Sequence, residues 1–134
     1  MAASFYGVLS LLERLSDRAP DFKIKLPLPP SVNAAYANAK KGRRKTDALT
    51  KWTSEAFSEM RGKRFNKLTG NIAVRYSLAF PDKKKRDIAN YEKALSDFFV
   101  KSGVIEDDSL ISLNIQQKLP YAGRFAICEI FNLD

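Results

Sequence analysis

Apolar positions along the chain alternate between a helical rhythm and a strand rhythm. Phe5, Val8, Leu12 and Leu15 fall at helical spacing, with Leu9 and Leu11 beside them, and Pro20 stops the run. This predicts a short amphipathic helix over residues 4–18, either packed on the body or mediating self-association. Phe22, Ile24 and Leu26 alternate with Lys23 and Lys25, the pattern of a half-buried strand, which ends in the proline-punctuated loop PLPPSVNAAY. Thr46 can cap a helix in which Leu49, Trp52, Ala56, Phe57 and Met60 share one face, with Trp52 in the core. Ile72, Val74, Tyr76, Leu78 and Phe80 then alternate with smaller or polar residues through a strand that Pro81 ends.

A further helix is predicted from Ala89 or Asn90, because Tyr91, Leu95, Phe98 and Phe99 form one stripe and Gly103 suits the C-terminal cap. Asn90, Lys93 and Asp97 lie on the opposite stripe. Two strand-like runs, 110–119 and 125–133, close the chain around the turn PYAG. The order implies an α+β fold: a small mixed or mainly antiparallel sheet with two to three helices in a single domain. Residues 1–20 stand apart as an N-terminal helix or extension, and 21–134 form the body.

Charge adds an anionic partner to this picture. The 134 residues contain 23 Lys and Arg against 15 Asp and Glu, a formal net charge of +8. Nucleic acid is the commonest partner for such an excess, and a basic surface with no dedicated ligand is the bland alternative. The segment NAKKGRRK, 38–45, holds five of the cations: Lys40, Lys41, Arg43, Arg44 and Lys45. It reads as too polar to pack, either ordered by an anion or simply a solvated surface loop.

Histidine is absent and Cys128 is the only cysteine, which excludes Ser-His, Cys-His and histidine-metal chemistry and any intramolecular disulfide. Cys128, in RFAICEIF, reads as a buried small hydrophobe. No run approaches the ~18 apolar residues of a membrane span, and the N-terminus lacks the basic start of a signal peptide. The expectation is a cytoplasmic protein with no membrane contact.

The chemistry concentrates between Pro81 and Ser109, in PDKKKRDIANYEKALSDFFVKSGVIEDDS. Without histidine, phosphodiester hydrolysis needs a divalent cation held by oxygen ligands, commonly one or two carboxylates with water and phosphate. Asp87 precedes the predicted helix, and Asp107 and Asp108 follow it. Lys93, one turn in, could reach a phosphate or a leaving oxygen. Lys83, Lys84, Lys85 and Arg86 could hold neighbouring phosphates. Taken singly, acidic pairs and basic runs are usually solvated surface; their ordered combination is less common.

This stretch resembles the RusA family of Holliday junction resolvases. The family pattern is a strand ending in proline and an acidic residue, a basic run, D-x-D-N, a lysine three positions after the asparagine, a helix ending in glycine, and an acidic pair. PPSVNAAY, which includes Asn33, is also similar to the family's PPSxNxxY loop. The resemblance covers roughly residues 22–133 and implies a nuclease domain over 21–134. It implies that Asp87 and Asp108 are metal-binding catalytic carboxylates, that Lys93 is the catalytic lysine, that Asp107 lends supporting negative charge at the metal, and that Asn90 orients the site. It further implies Mg2+, or Mn2+, as cofactor, a homodimer, and paired nicking of four-way DNA junctions in recombination and repair.

One position departs from the pattern: Ala89 stands where the family has the second aspartate. Either a substitution has silenced an otherwise intact nuclease, or the chain is a natural relative that binds junctions without cutting them; the intact remainder of the motif favours the first. The expectation is a junction-resolving endonuclease scaffold, catalytically impaired, with a non-catalytic structure-specific DNA-binding protein as the alternative. A basic RNA-associated or assembly protein is a third, weaker reading.

Overall fold

The protein, described here by a computed structural model, is traced over residues 12–13, 15–39 and 42–134, without the side chains of residues 38, 39 and 43. Most of the predicted N-terminal helix, including Phe5, Val8, Leu9 and Leu11, lies outside the described residues, as do Lys40 and Lys41. The part that is described is helical at residues 12–13 and 15–17. There Leu15 is buried against Ala73 and Phe131.

Strand β1 is Phe22–Pro27, β4 is Ile72–Ala79, β5 is Ile111–Lys118 and β6 is Phe125–Asn132. They form one sheet in the order β1-β6-β4-β5. β6 is antiparallel to both β1 and β4, whereas β4 and β5 are parallel, so the sheet is mixed. The fold class is the expected α+β.

One sheet face carries the alternating residues Ile24, Leu26, Val74, Tyr76, Leu78, Cys128 and Ile130, which join the main core. Helix α2, Asp47–Glu59, buries Leu49, Trp52 and Ala56. Helix α3, Glu92–Lys101, buries Leu95, Phe98 and Phe99. Trp52 donates from Nε1 to the carbonyl of Pro27 at 2.8 Å, which satisfies its polar end inside the core. β4 is buried on both faces, because Ala73, Ser77 and Ala79 are also covered. That double burial explains why its alternation is between large and small residues rather than apolar and polar ones. Cys128 is fully buried, and burial pushes its thiol up and away from reactivity.

Two segments correct the sequence reading. The proline loop contains a one-turn helix α1, Val32–Ala35, with Ser31 accepting from the Ala34 N–H at 3.3 Å. Residues 38–45 are not irregular: β2, Tyr36–Ala39, pairs antiparallel with β3, Gly42–Lys45. Gly42 at φ 90° supplies the left-handed backbone that a hairpin turn needs. An isolated two-stranded ribbon is marginal, and this one is tied down at its base, where Thr46 donates from its backbone to Ala35 at 2.9 Å and from Oγ1 to Ala34 at 2.6 Å. Polarity alone misjudged the segment, because local pairing and a well-anchored base replace burial.

The expected helix after Pro81 begins as a 3-10 turn, Ile88–Tyr91, before α3. It ends in a Schellman motif: Gly103 donates to Val100 at 3.1 Å and Val104 to Phe99 at 3.0 Å, with Gly103 at φ 83°.

Candidate functional site

The β4-to-β5 crossover places the acidic clusters. Because β5 runs parallel to β4, the chain must return to the end where β4 starts, and Ile111 pairs with Ile72 there. Asp107 and Asp108 sit at that return, just before β5. Asp107 caps the 3-10 turn Asp108–Leu110, accepting from the Ser109 backbone at 3.3 Å and from its hydroxyl. The Ser109 hydroxyl holds the Asp107 carboxyl below the usual carboxylate range.

Asp108 and Asp107 line an open cleft of about 280 Å³ together with Tyr36, Lys45, Asp97 and Lys101. The hairpin therefore contributes a phenol and one cation of its basic set to the acidic cleft. Lys93 reaches Asp97 at 3.2 Å. Tyr36 donates to the same Asp97 oxygen at 3.1 Å, and the Lys93 ammonium stands 5.4 Å from the Tyr36 ring centre. Asp97, through this hydrogen bond and its charge, raises the Lys93 pKa, with smaller support from Tyr36 and Asp108. Lys93 is thus a fixed cation, suited to stabilising negative charge and not to abstracting a proton.

Asp87 lies elsewhere along the crossover. It caps the first 3-10 turn, its Oδ1 accepting from the Ala89 N–H at 3.1 Å. The neighbouring Arg86 carbonyl is held by Lys118 Nζ at 2.7 Å. The 3-10 turn that Asp87 caps packs against β5, and just after it Glu92 Oε1 accepts from Asn114 Nδ2, in the middle of that strand, at 3.0 Å. Asp87 is not among the residues that line the Asp107–Asp108 cleft. Ala89, exposed on the 3-10 turn, brings no ligand. Among the described residues, no three His, Cys, Asp or Glu side chains stand together as a metal site. The side chains present do not fit a cation held by three carboxylates.

The basic run divides in two. Lys83, Lys84 and Lys85 are exposed. Arg86 turns back, bonding Asp82 Oδ1 at 2.7 Å and lying 5.0 Å from the Phe80 ring centre. Arg86, followed by the Lys84 backbone N–H, holds the Asp82 carboxyl low. Arg86 therefore shapes the loop, and the three lysines face solvent. On the hairpin Arg44 and Lys45 are exposed, and the Arg43 side chain is outside the described residues. Asn33 is exposed on α1, and half-buried Asn90 donates its backbone N–H to Asp87 at 3.1 Å.

A model of the family described as Endodeoxyribonuclease RusA matches residues 27–127, well over half the chain. The chain belongs to the RusA family. Among curated relatives of this RusA-family chain is "Crossover junction endodeoxyribonuclease RusA" of Aquifex aeolicus (strain VF5). It is 37% identical over 89 residues, covering 65% of this chain and 69% of the relative. Within the RusA framework, Tyr36, the last residue of PPSVNAAY, and Asp97, on the stripe of Lys93, join the site although the motifs assign neither a role. The i,i+4 spacing of Lys93 and Asp97 on one helix stripe was the available signal for Asp97; nothing local linked Tyr36 to it across 61 residues of chain.

Proposed function

We propose that this RusA-family chain is a structure-specific DNA-binding protein on a nuclease scaffold. It recognises four-way junctions as a homodimer in the cytoplasm, in recombination and repair, and its phosphodiester cleavage is impaired at Ala89. The observation that carries the proposal is the cleft of Tyr36, Lys45, Asp97 and Asp108 with Lys93 paired to Asp97, in a chain whose motif position 89 holds only a methyl group. Exposed Lys83, Lys84, Lys85, Arg44 and Lys45 hold phosphates, which sets position without reading sequence. The remaining hairpin cations, Lys40, Lys41 and Arg43, join them.

Magnesium or manganese is the cofactor proposed for the scaffold, and a single added carboxylate is what the site needs. Magnesium commonly takes only one or two protein carboxylates and completes its shell with water and phosphate. Ala89→Asp would place a second carboxylate two residues from Asp87, on the turn that leads into Lys93. Residue 89 also bears on affinity, since an alanine repels the DNA backbone less than an aspartate does.

The binding half of the proposal is tested with the chain as it stands. Affinity for a four-way junction should exceed that for a linear duplex of the same arm sequence by about 10-fold or more, and should fall steeply with salt. Equal affinity for the two would end the junction reading; equal affinity for structured RNA would favour an RNA-associated protein.

A further inference from the structure

The most exposed large apolar side chain among the described residues is Tyr121, at 54%, and it lies outside the acidic cleft. It sits in the β5–β6 turn, LPYAGR. The turn is clamped to the end of β4: Leu119 donates to Leu78 at 2.8 Å and Gly123 to Phe80 at 3.0 Å. Gly123 permits this approach, because a Cβ there would stand 2.6 Å from the Phe125 ring and 2.9 Å from Ala79. Tyr121 leans on Phe125, centroids 6.3 Å apart, and Lys25 lies 4.2 Å from the centre of that second ring. A large aromatic is therefore held out to solvent by a fixed base.

Between Tyr121 and the basic loop runs a groove of about 400 Å³, whose charged lining is Lys83, Lys84, Arg86, Lys118 and Asp82. The four cations and one carboxylate leave a net +3, and the carboxylate is already engaged by Arg86 at 2.7 Å. An aromatic platform beside a cationic groove is the arrangement that holds unpaired nucleotides, the ring stacking on a base while the cations follow the backbone.

We infer that Tyr121 and the adjoining groove form a binding site for an unpaired DNA base and its flanking phosphates. The inference deepens the proposed junction binding and rests on that reading for its role at a branch point. The base would stack on Tyr121, with Lys83, Lys84 and Lys118 beside its phosphates.

The test compares the unaltered chain with Tyr121→Ala and Tyr121→Phe, using a short oligothymidylate, a linear duplex and a four-way junction. Tyr121→Ala should weaken oligothymidylate binding about 10-fold and leave duplex binding and melting temperature unchanged. Tyr121→Phe should match the unaltered chain, since stacking needs the ring and not the hydroxyl. No binding of the oligothymidylate, no loss on Tyr121→Ala, or an equal loss on duplex overturns the site. Failure to prefer the junction, with the oligothymidylate result intact, overturns the proposed junction function and leaves the base site standing.

Discussion

Replacing Lys93 by alanine separates a residue of the site from a residue of the fold. The ammonium is paired with Asp97 at 3.2 Å, but the two side chains are 53% and 41% exposed. A helix-surface pair so open to solvent contributes about 0.3–0.5 kcal/mol, because water screens it and two long side chains must be ordered. The ammonium also stands 5.4 Å from the Tyr36 ring centre, so the total cost should stay below about 1 kcal/mol, a melting shift of roughly 2–5 °C. DNA binding should lose about one phosphate contact, reducing the magnitude of the salt slope by about 0.9. In an Ala89→Asp background, junction cleavage should fall by about 100- to 1,000-fold, the usual effect of losing one fixed donor to developing negative charge. The assays are urea unfolding, junction titration at several salt concentrations, and single-turnover cleavage. A stability loss above roughly 2 kcal/mol would make Lys93 structural. An unchanged slope with unchanged cleavage would remove it from the site.

Two further outcomes concern the scaffold. Arg75 and Glu129 face each other across β4 and β6 with bonds of 2.9 and 2.8 Å, and the Arg75 hydrogen bond holds the Glu129 carboxyl low. Because the folded value is depressed, this stabilisation is complete above the unfolded glutamate value of roughly 4.3 and is lost as pH falls through the folded one. Glu129→Gln should therefore cost about 1–2 kcal/mol at neutral pH and little at the acid end of a urea-unfolding series; a cost that does not vary with pH would refute the pairing. Gly103→Ala meets no atom within 4 Å, so only the φ of 83° opposes it. It should cost about 1 kcal/mol in the same unfolding assay, and a neutral result would mean that α3 ends without needing that conformation.

Sequence periodicity carried the sheet and both main helices because burial on one face leaves a direct trace: Ile24, Leu26, Val74 and Tyr76 alternate, and Leu95, Phe98 and Phe99 share a stripe. The hairpin at 36–45 left no such trace. Its strands are polar and paired to each other, and its anchor is Thr46 at the base, with Tyr36 reaching Asp97 across the fold. The same distance hid the partition of the acidic groups. Asp87 and Asp108 belong to one motif, yet only Asp108 lines the cleft with Tyr36 and Asp97. The basic run likewise read as four equivalent cations until the Asp82 carboxylate and the Phe80 ring claimed Arg86. Family membership lay in the order DIAN, Lys93, Asp107-Asp108, and was legible without coordinates.

The proposed impairment of this RusA-family scaffold rests on one missing carboxylate, at Ala89. A labelled four-way junction incubated with magnesium and either the unaltered chain or Ala89→Asp tests it most directly. Both proteins should bind, the unaltered chain should leave the junction whole, and Ala89→Asp should introduce paired nicks that disappear when the metal is chelated. Nicking by the unaltered chain, or a folded and bound Ala89→Asp protein that makes no nicks, would contradict it.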